Sequence, residues 1–136
     1  MKKILLASHG RFASGIKSSM NILMGASDNL TVFDAYIDET NVETVIDEFY
    51  QTVSEDDQVI LMSDLYGGSV NQIMFRYLSK PNTTLVTGVN LACVLEIAAT
   101  DKELSKAEIK DIVANAKEAM LVVEDNDNNN EEEEFF

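Results

Sequence analysis

The single histidine of the chain, His9, lies where a nucleophilic side chain would be useful. It follows the apolar run from Ile4 to Ser8 and precedes Gly10, so we predict that it ends a buried strand and begins a turn into a helix. Histidine can carry a covalent group on a ring nitrogen. The carboxyl end of such a strand, beside a helix start, is also where α/β proteins bind phosphate. A purely structural role in the turn would explain this position equally well.

A second group of polar residues follows the third predicted strand. Asp64 is suited to hold one ring nitrogen of His9 as an N–H donor, which leaves the other nitrogen unprotonated for attack. Gly67, Gly68 and Ser69 lie at a predicted helix start, where unpaired N–H groups and the serine hydroxyl can donate to phosphoryl oxygens. The alternatives are that Asp64 caps a helix or turn and that the two glycines only form a turn.

Strand-like and helix-like apolar patterns alternate along the chain. We predict strands over residues 4–8, 30–37, 58–63 and 83–87 and a short last strand over residues 120–123. The apolar residues between these strands recur at helical spacing, and Gly25 is predicted to end the first helix. Thr40 with Glu43, and Ser105 with Glu108, match the capping-box pattern at helix starts.

This alternation predicts an α/β fold, a doubly wound and mainly parallel sheet. Right-handed crossovers leave few topologies, and we expect the strand order 2-1-3-4. The switch point then lies between strands 1 and 3, which end at His9 and Asp64. The two side chains should therefore face each other across the ligand crevice, although 55 positions separate them in the sequence.

Length, net charge and cysteine content limit the classes of function that the chain can have. Residues 1–123 of the 136 are predicted to form one domain, and residues 124–136 an acidic disordered tail with seven acidic and no basic residues. The net charge of −14 is negative outside the tail as well, which argues against nucleic-acid binding and allows a partner with a basic docking face. Cys93 is the only cysteine, so we expect no internal disulfide and no cysteine-only metal site, and both fit a reducing, cytoplasmic setting. We also predict that the site holds no metal ion. No cofactor and no membrane span are expected.

Three motifs together resemble the IIA component of the mannose family of the sugar phosphotransferase system (PTS). They are Ser8-His9-Gly10-Arg11-Phe12-Ala13-Ser14-Gly15, Asp64-Leu65-Tyr66-Gly67-Gly68-Ser69 and Thr87-Gly88-Val89-Asn90-Leu91. The resemblance spans about residues 1–123, and the motifs occur in the family's order at the predicted strand ends.

The resemblance implies that His9 takes a phosphoryl group from the phosphocarrier protein HPr and passes it to a histidine of the IIB component, which phosphorylates the sugar during transport. It implies that Asp64 orients the histidine and that Ser69 contacts the phosphoryl group. It also implies a homodimer in which a C-terminal strand, here residues 120–123, crosses to the other subunit. The membrane components IIC and IID would be involved only indirectly.

The chain departs from the family pattern at the rim expected to dock IIB. Val70 and Ala92 stand where the family often has proline, and Gln72 where it often has asparagine. These differences leave the predicted catalytic residues intact. Because the chain ends in the acidic tail, we expect a free-standing IIA subunit.

Three other functions fit the same residues less well. A response-regulator receiver phosphorylated on Asp64 needs an acidic pair after the first strand, where this chain has Ser8-His9-Gly10. The phosphoryl-donor subunit of a dihydroxyacetone kinase resembles the chain at the histidine but usually lacks Gly-Gly-Ser after the aspartate. A non-enzymatic nucleotide- or flavin-binding module of this topology would have a glycine-rich phosphate loop after the first strand, and only Gly10 and Gly15 are present there.

Overall fold

A computed structural model gives the fold of the chain and describes residues 1–125. Strands and helices alternate along most of its length. In chain order the elements are β1 (Lys2–His9), α1 (Phe12–Met24), β2 (Leu30–Ala35), α2 (Val42–Gln51), β3 (Gln58–Ser63), α3 (Ser69–Phe75), β4 (Thr83–Thr87), α4 (Leu91–Ala99) and α5 (Lys106–Glu118). A short 3₁₀ helix, Arg76–Ser79, follows α3.

The strands form one parallel sheet in the order β2-β1-β3-β4, which confirms the predicted topology. In the central strand, Leu6 pairs with Val32 of β2 on one side and with Met62 of β3 on the other. Because all pairings are parallel, the carboxyl ends of the strands meet at one edge of the sheet.

Helices cover both faces of the sheet, and this explains the nearly continuous apolar sequence of β1. Ile4 and Leu6 pack into a core with residues of α1, α4 and α5. Leu5 and Ala7 point to the opposite face and pack with residues of α2 and α3. The four side chains are fully buried or nearly so, so β1 is held rigidly from both sides. His9 is the last residue of β1, so its backbone continues directly from this buried and rigid strand.

Two local predictions near β2 were wrong. The strand ends at Ala35, two residues earlier than predicted, because Tyr36 has a φ of 65° and turns the chain away from the sheet. Thr40 and Glu43 do not form a capping box. Asn41 caps α2 instead, since its side chain accepts a hydrogen bond from the Thr44 N–H at 3.2 Å.

In the C-terminal part of the domain, the structure agrees with the predicted elements only up to the end of α5. The predicted capping box of Ser105 and Glu108 is confirmed at the start of that helix. Residues 120–123 form no strand within the chain and are exposed, so the prediction of a strand there is not met by the single chain. Most of the predicted acidic tail, residues 126–136, lies outside the described residues. None of the helices in residues 1–125 is long and apolar enough to cross a membrane.

Candidate active site

The site lies where β1, β2 and β3 end side by side. The sheet register pairs His9 with Ala35 at the end of β2, and it pairs Ala7 with Ser63, the residue before Asp64. The histidine is thus flanked by the residues that follow both neighbouring strands. Parallel pairing therefore brings together residues that are far apart in the sequence, as expected at the switch point of an open α/β sheet.

Asp64 holds His9 by both its main chain and its ring. Oδ2 of Asp64 accepts a hydrogen bond from the His9 backbone N–H at 3.0 Å and lies 3.0 Å from Nδ1 of the ring. Oδ1 lies 3.3 Å from the same ring nitrogen. A carboxylate can only accept, so these contacts select the tautomer with the proton on Nδ1. The unprotonated Nε2 is then available as a nucleophile.

The His9 ring is more accessible to solvent than the Asp64 carboxylate that holds it. The histidine side chain is 42% exposed and the Asp64 side chain 15% exposed. The ring can therefore be reached by another molecule, and a partly shielded carboxylate makes a stronger contact with the ring than a fully solvated one would.

The turn after β1 is tied down by Ser8, which is fully buried. Its hydroxyl accepts a hydrogen bond from the Ala13 N–H at 2.8 Å and donates to the Gly10 carbonyl at 3.2 Å. The N–H of Gly10 donates to the Ala35 carbonyl at 2.9 Å, and this glycine has a φ of 58°. The turn therefore depends on a residue that adopts the left-handed region without strain, and it fixes the backbone from which the His9 ring projects.

Gly68 provides room for the His9 ring. A Cβ atom at this position would lie 3.2 Å from Cε1 of His9 and 3.2 Å from the Leu65 carbonyl oxygen, closer than normal packing distances. The N–H of Gly68 donates to the same Leu65 carbonyl at 3.1 Å. Gly67, with a φ of 76°, makes the preceding turn. The glycine pair thus positions the start of α3 directly against the histidine.

Ser69 brings a hydroxyl to the second ring nitrogen. Its Oγ lies 3.3 Å from Nε2 of His9, on the opposite side of the ring from Asp64. The residues predicted from sequence (His9, Asp64 and the Gly67-Gly68-Ser69 segment) are therefore together in one site, at the carboxyl edge of the sheet.

Tyr36 is part of this site, and the sequence analysis missed it. Its ring centroid lies 5.2 Å from that of His9, and its hydroxyl lies 2.5 Å from Oγ of Ser69. A usable signal is present in the sequence: Tyr36 is an aromatic residue close to the end of the second strand, at the same sheet edge as His9 and Asp64. The half-alternating apolar pattern instead predicts that the strand continues through this residue.

Other residues of the motifs have structural roles. Asn90 caps α4 by accepting from the Cys93 N–H at 2.8 Å, and its amide donates to the Ala116 carbonyl at 2.8 Å. Cys93 is buried, and burial raises the pKa of its thiol to about 11. Arg11 is exposed at the start of α1. Within residues 1–125, no cluster of three or more His, Cys, Asp or Glu side chains is arranged to hold a metal ion.

Residues 3–117 match the model of the family described as PTS system fructose IIA component. The chain belongs to this family. The resemblance seen in the three motifs is thereby confirmed, and the chain is a IIA-type component of the sugar phosphotransferase system.

Solved structures of similar proteins agree with this assignment. A candidate phosphoenolpyruvate-dependent sugar PTS permease from Klebsiella pneumoniae is 29% identical, with 89% of this chain and 90% of that chain covered and a TM-score of 0.79. A PTS IIA protein associated with the fucose utilization operon of Streptococcus pneumoniae is 27% identical, with 93% and 96% covered and a TM-score of 0.78. The mannose/sorbose-specific IIA subunit from Enterococcus faecalis shares the fold, with a TM-score of 0.78. It is 21% identical, and the match covers 91% of this chain and 96% of that chain.

Proposed function

We propose that this PTS IIA component is a cytoplasmic phosphoryl carrier that accepts a phosphoryl group from phospho-HPr on His9 and passes it to a IIB component during sugar uptake. The observation that carries the proposal is the contact of the Asp64 carboxylate with Nδ1 of His9 at 3.0 Å. It leaves Nε2 unprotonated on a ring that a partner protein can reach.

The transfer needs no proton from the site. In the acceptance step, the lone pair on Nε2 of His9 bonds to phosphorus, the P–N bond of the donor histidine breaks, and its electron pair returns to the donor ring. The His9 ring keeps its proton on Nδ1 and becomes cationic, and the Asp64 carboxylate stabilises that charge. Transfer onward is the reverse: a IIB histidine attacks phosphorus, and the electron pair of the breaking bond returns to Nε2.

The phosphoryl oxygens require hydrogen-bond donors, and the start of α3 supports this part of the proposal. The Ser69 hydroxyl is close to Nε2, and the first N–H groups of a helix have no acceptor within it. The N–H of Gly68 can reach a phosphoryl oxygen only by releasing the Leu65 carbonyl. Because phosphoryl transfer depends on positioning and charge stabilisation, these few groups suffice.

We further propose that the protein is a homodimer in which residues 120–123 of one copy pair with β4 of the other. The free edge of β4 supports this, since β4 is the last strand of the sheet. A groove of about 350 Å³ lies between β4 and α5, with Val86, Ile109 and Val113 among its lining residues. Residues 120–123 are four consecutive exposed apolar side chains. Pairing would remove both the open strand edge and the apolar segment from solvent.

Intact-protein mass spectrometry tests the phosphoryl-carrier proposal. The protein is incubated with phosphoenolpyruvate, Enzyme I and HPr, and its mass is measured before and after acid treatment. We expect the gain of one acid-labile phosphoryl group, and no gain in His9→Ala, whose fold is checked by circular dichroism. Retained phosphorylation in His9→Ala, or no gain by the wild-type protein while HPr is phosphorylated, would refute the assignment.

A further inference from the structure

We propose that Tyr36 is a positioning residue for phosphoryl transfer, which acts by fixing the direction of the Ser69 hydroxyl beside Nε2 of His9. This inference rests on the proposed phosphorylation of His9. It adds a residue to the site that neither the sequence motifs nor the family assignment supplied.

The backbone of Tyr36 is held in an unusual conformation. Its φ of 65° lies in the left-handed region, which bulky side chains rarely adopt. In residues 1–125 the other non-glycine residue with positive φ is Asn82, a residue type that tolerates this region well. Such a conformation persists only where the surrounding structure enforces it, and at a functional site it commonly serves to direct a side chain. Here it directs the Tyr36 ring toward His9 and away from the line of β2.

The hydrogen bonds define what the Tyr36 hydroxyl does. Its oxygen lies 2.5 Å from Oγ of Ser69, which in turn lies 3.3 Å from Nε2 of His9. Either hydroxyl could donate in this contact; because a phenol is a stronger acid than an aliphatic alcohol, we assign the tyrosine O–H as the donor and the serine oxygen as the acceptor. The single proton of Ser69 is then free to point toward the ring nitrogen, because the side of Oγ that faces Tyr36 is occupied.

The same arrangement serves the reaction. When a phosphoryl group approaches Nε2, the Ser69 proton has only to turn from the nitrogen to a phosphoryl oxygen close by. Donation from Tyr36 polarises the serine hydroxyl and makes it a stronger donor, since hydrogen bonds in a chain reinforce one another. Without this donation, the serine hydroxyl can rotate away, and part of its population would be turned to solvent when the donor protein arrives.

Tyr36→Phe tests the proposal because it removes the hydroxyl and keeps the ring beside His9. We expect the rate of phosphoryl acceptance from phospho-HPr to fall by roughly three- to tenfold, the range for loss of one neutral hydrogen bond. Tyr50→Phe is the matched control: the Tyr50 hydroxyl lies 2.9 Å from Oγ1 of Thr83, at the start of β4 and so at the opposite edge of the sheet from His9, and its variant should transfer at the wild-type rate. Thermal unfolding midpoints are measured for both variants.

A double-mutant cycle with Ser69→Ala separates positioning through the serine from a general structural effect. We expect Tyr36→Phe to slow the wild-type protein but to have no further effect in the Ser69→Ala background. A wild-type rate for Tyr36→Phe, or an equal additional loss in the Ser69→Ala background, would overturn the inference. Failure of the wild-type protein to be phosphorylated on His9 would instead refute the proposed function, so the two failures are distinguishable.

Discussion

Asp64→Asn tests the central contact of the site, because it removes the charge while it preserves size and shape. Two N–H groups of His9, one from the backbone and one from the ring, converge on Oδ2 of Asp64 at 3.0 Å. An asparagine can satisfy both only with its amide oxygen at that position. We therefore expect the Asp64→Asn variant to keep the His9 tautomer and to lose only the ionic part of the interaction with the phosphorylated ring.

The expected cost follows from the strengths of the two kinds of hydrogen bond. A bond to a charged group contributes about 1.5–3 kcal/mol and a neutral one about 1 kcal/mol. The charged bond is thus stronger by about 0.5–2 kcal/mol, and because the His9 side chain is 42% exposed, solvent screening places the difference in the lower half of that range, at about 0.5–1 kcal/mol. A loss of about 0.5–1 kcal/mol in the cationic transition state corresponds to roughly two- to fivefold slower phosphoryl acceptance.

Single-turnover transfer from phospho-HPr, measured by rapid quench, gives this rate directly. Asp38→Asn is the control for the change in net charge, since Asp38 lies in the loop after β2 and its carboxylate accepts from the Thr40 N–H. We expect a wild-type rate for that control. A wild-type rate for Asp64→Asn would contradict the proposed role of its charge. A loss on the order of a thousandfold would show that the amide had turned over and shifted the proton to Nε2.

Three further predictions concern packing and assembly. Gly68→Ala should slow phosphoryl acceptance about tenfold with the fold retained, because the added Cβ displaces the His9 ring. The NMR resonance of the Cε1 proton of this single histidine should therefore shift. An unchanged resonance would contradict the packing argument. Truncation after Ala119 should give monomers or aggregates in sedimentation velocity, and an unchanged soluble dimer would refute strand exchange. Burial raises the pKa of the Cys93 thiol to about 11, so only about 0.1% of it is thiolate at pH 8. We expect it to react with a thiol reagent only as urea unfolds the protein. Immediate full labelling of the native protein would contradict its burial.

The fold was predictable wherever apolar periodicity and turn residues agreed. The limits of β3 and β4 match the prediction because each apolar run is bounded on both sides by polar or turn-forming residues. The end of β2 was misplaced because nothing in the residue type of Tyr36 indicates a positive φ. The start of α2 was misplaced by one residue because Thr40 and Asn41 are both good caps, and only the tertiary path of the chain selects between them.

The pairing of His9 with Asp64 could be predicted from the sequence, but the contacts of Gly68 and Tyr36 with the histidine could not. The strand order alone places His9 beside Asp64, since parallel register aligns the strand ends. The contact of Gly68 with the histidine ring depends on distances of a few tenths of an ångström, which a sequence pattern does not carry. The position of Tyr36 depends on a left-handed backbone that its own residue type disfavours. Sequence therefore located the candidate nucleophile and its orienting group, while the surrounding positioning contacts required the structure.

The modest number of groups around His9 is consistent with a carrier. The ring contacts a carboxylate, a serine hydroxyl and a tyrosine ring, and none of these is a cation. A site that bound the phosphoryl group tightly through arginine or lysine would stabilise the phosphorylated state and so raise the barrier to onward transfer. A carrier works best when the phosphorylated and free states are close in free energy, because the group can then be accepted and passed on with similar ease. An oriented ring with one well-directed hydroxyl meets that requirement, and this is why we expect Asp64 and Tyr36 to affect the rate of transfer in both directions.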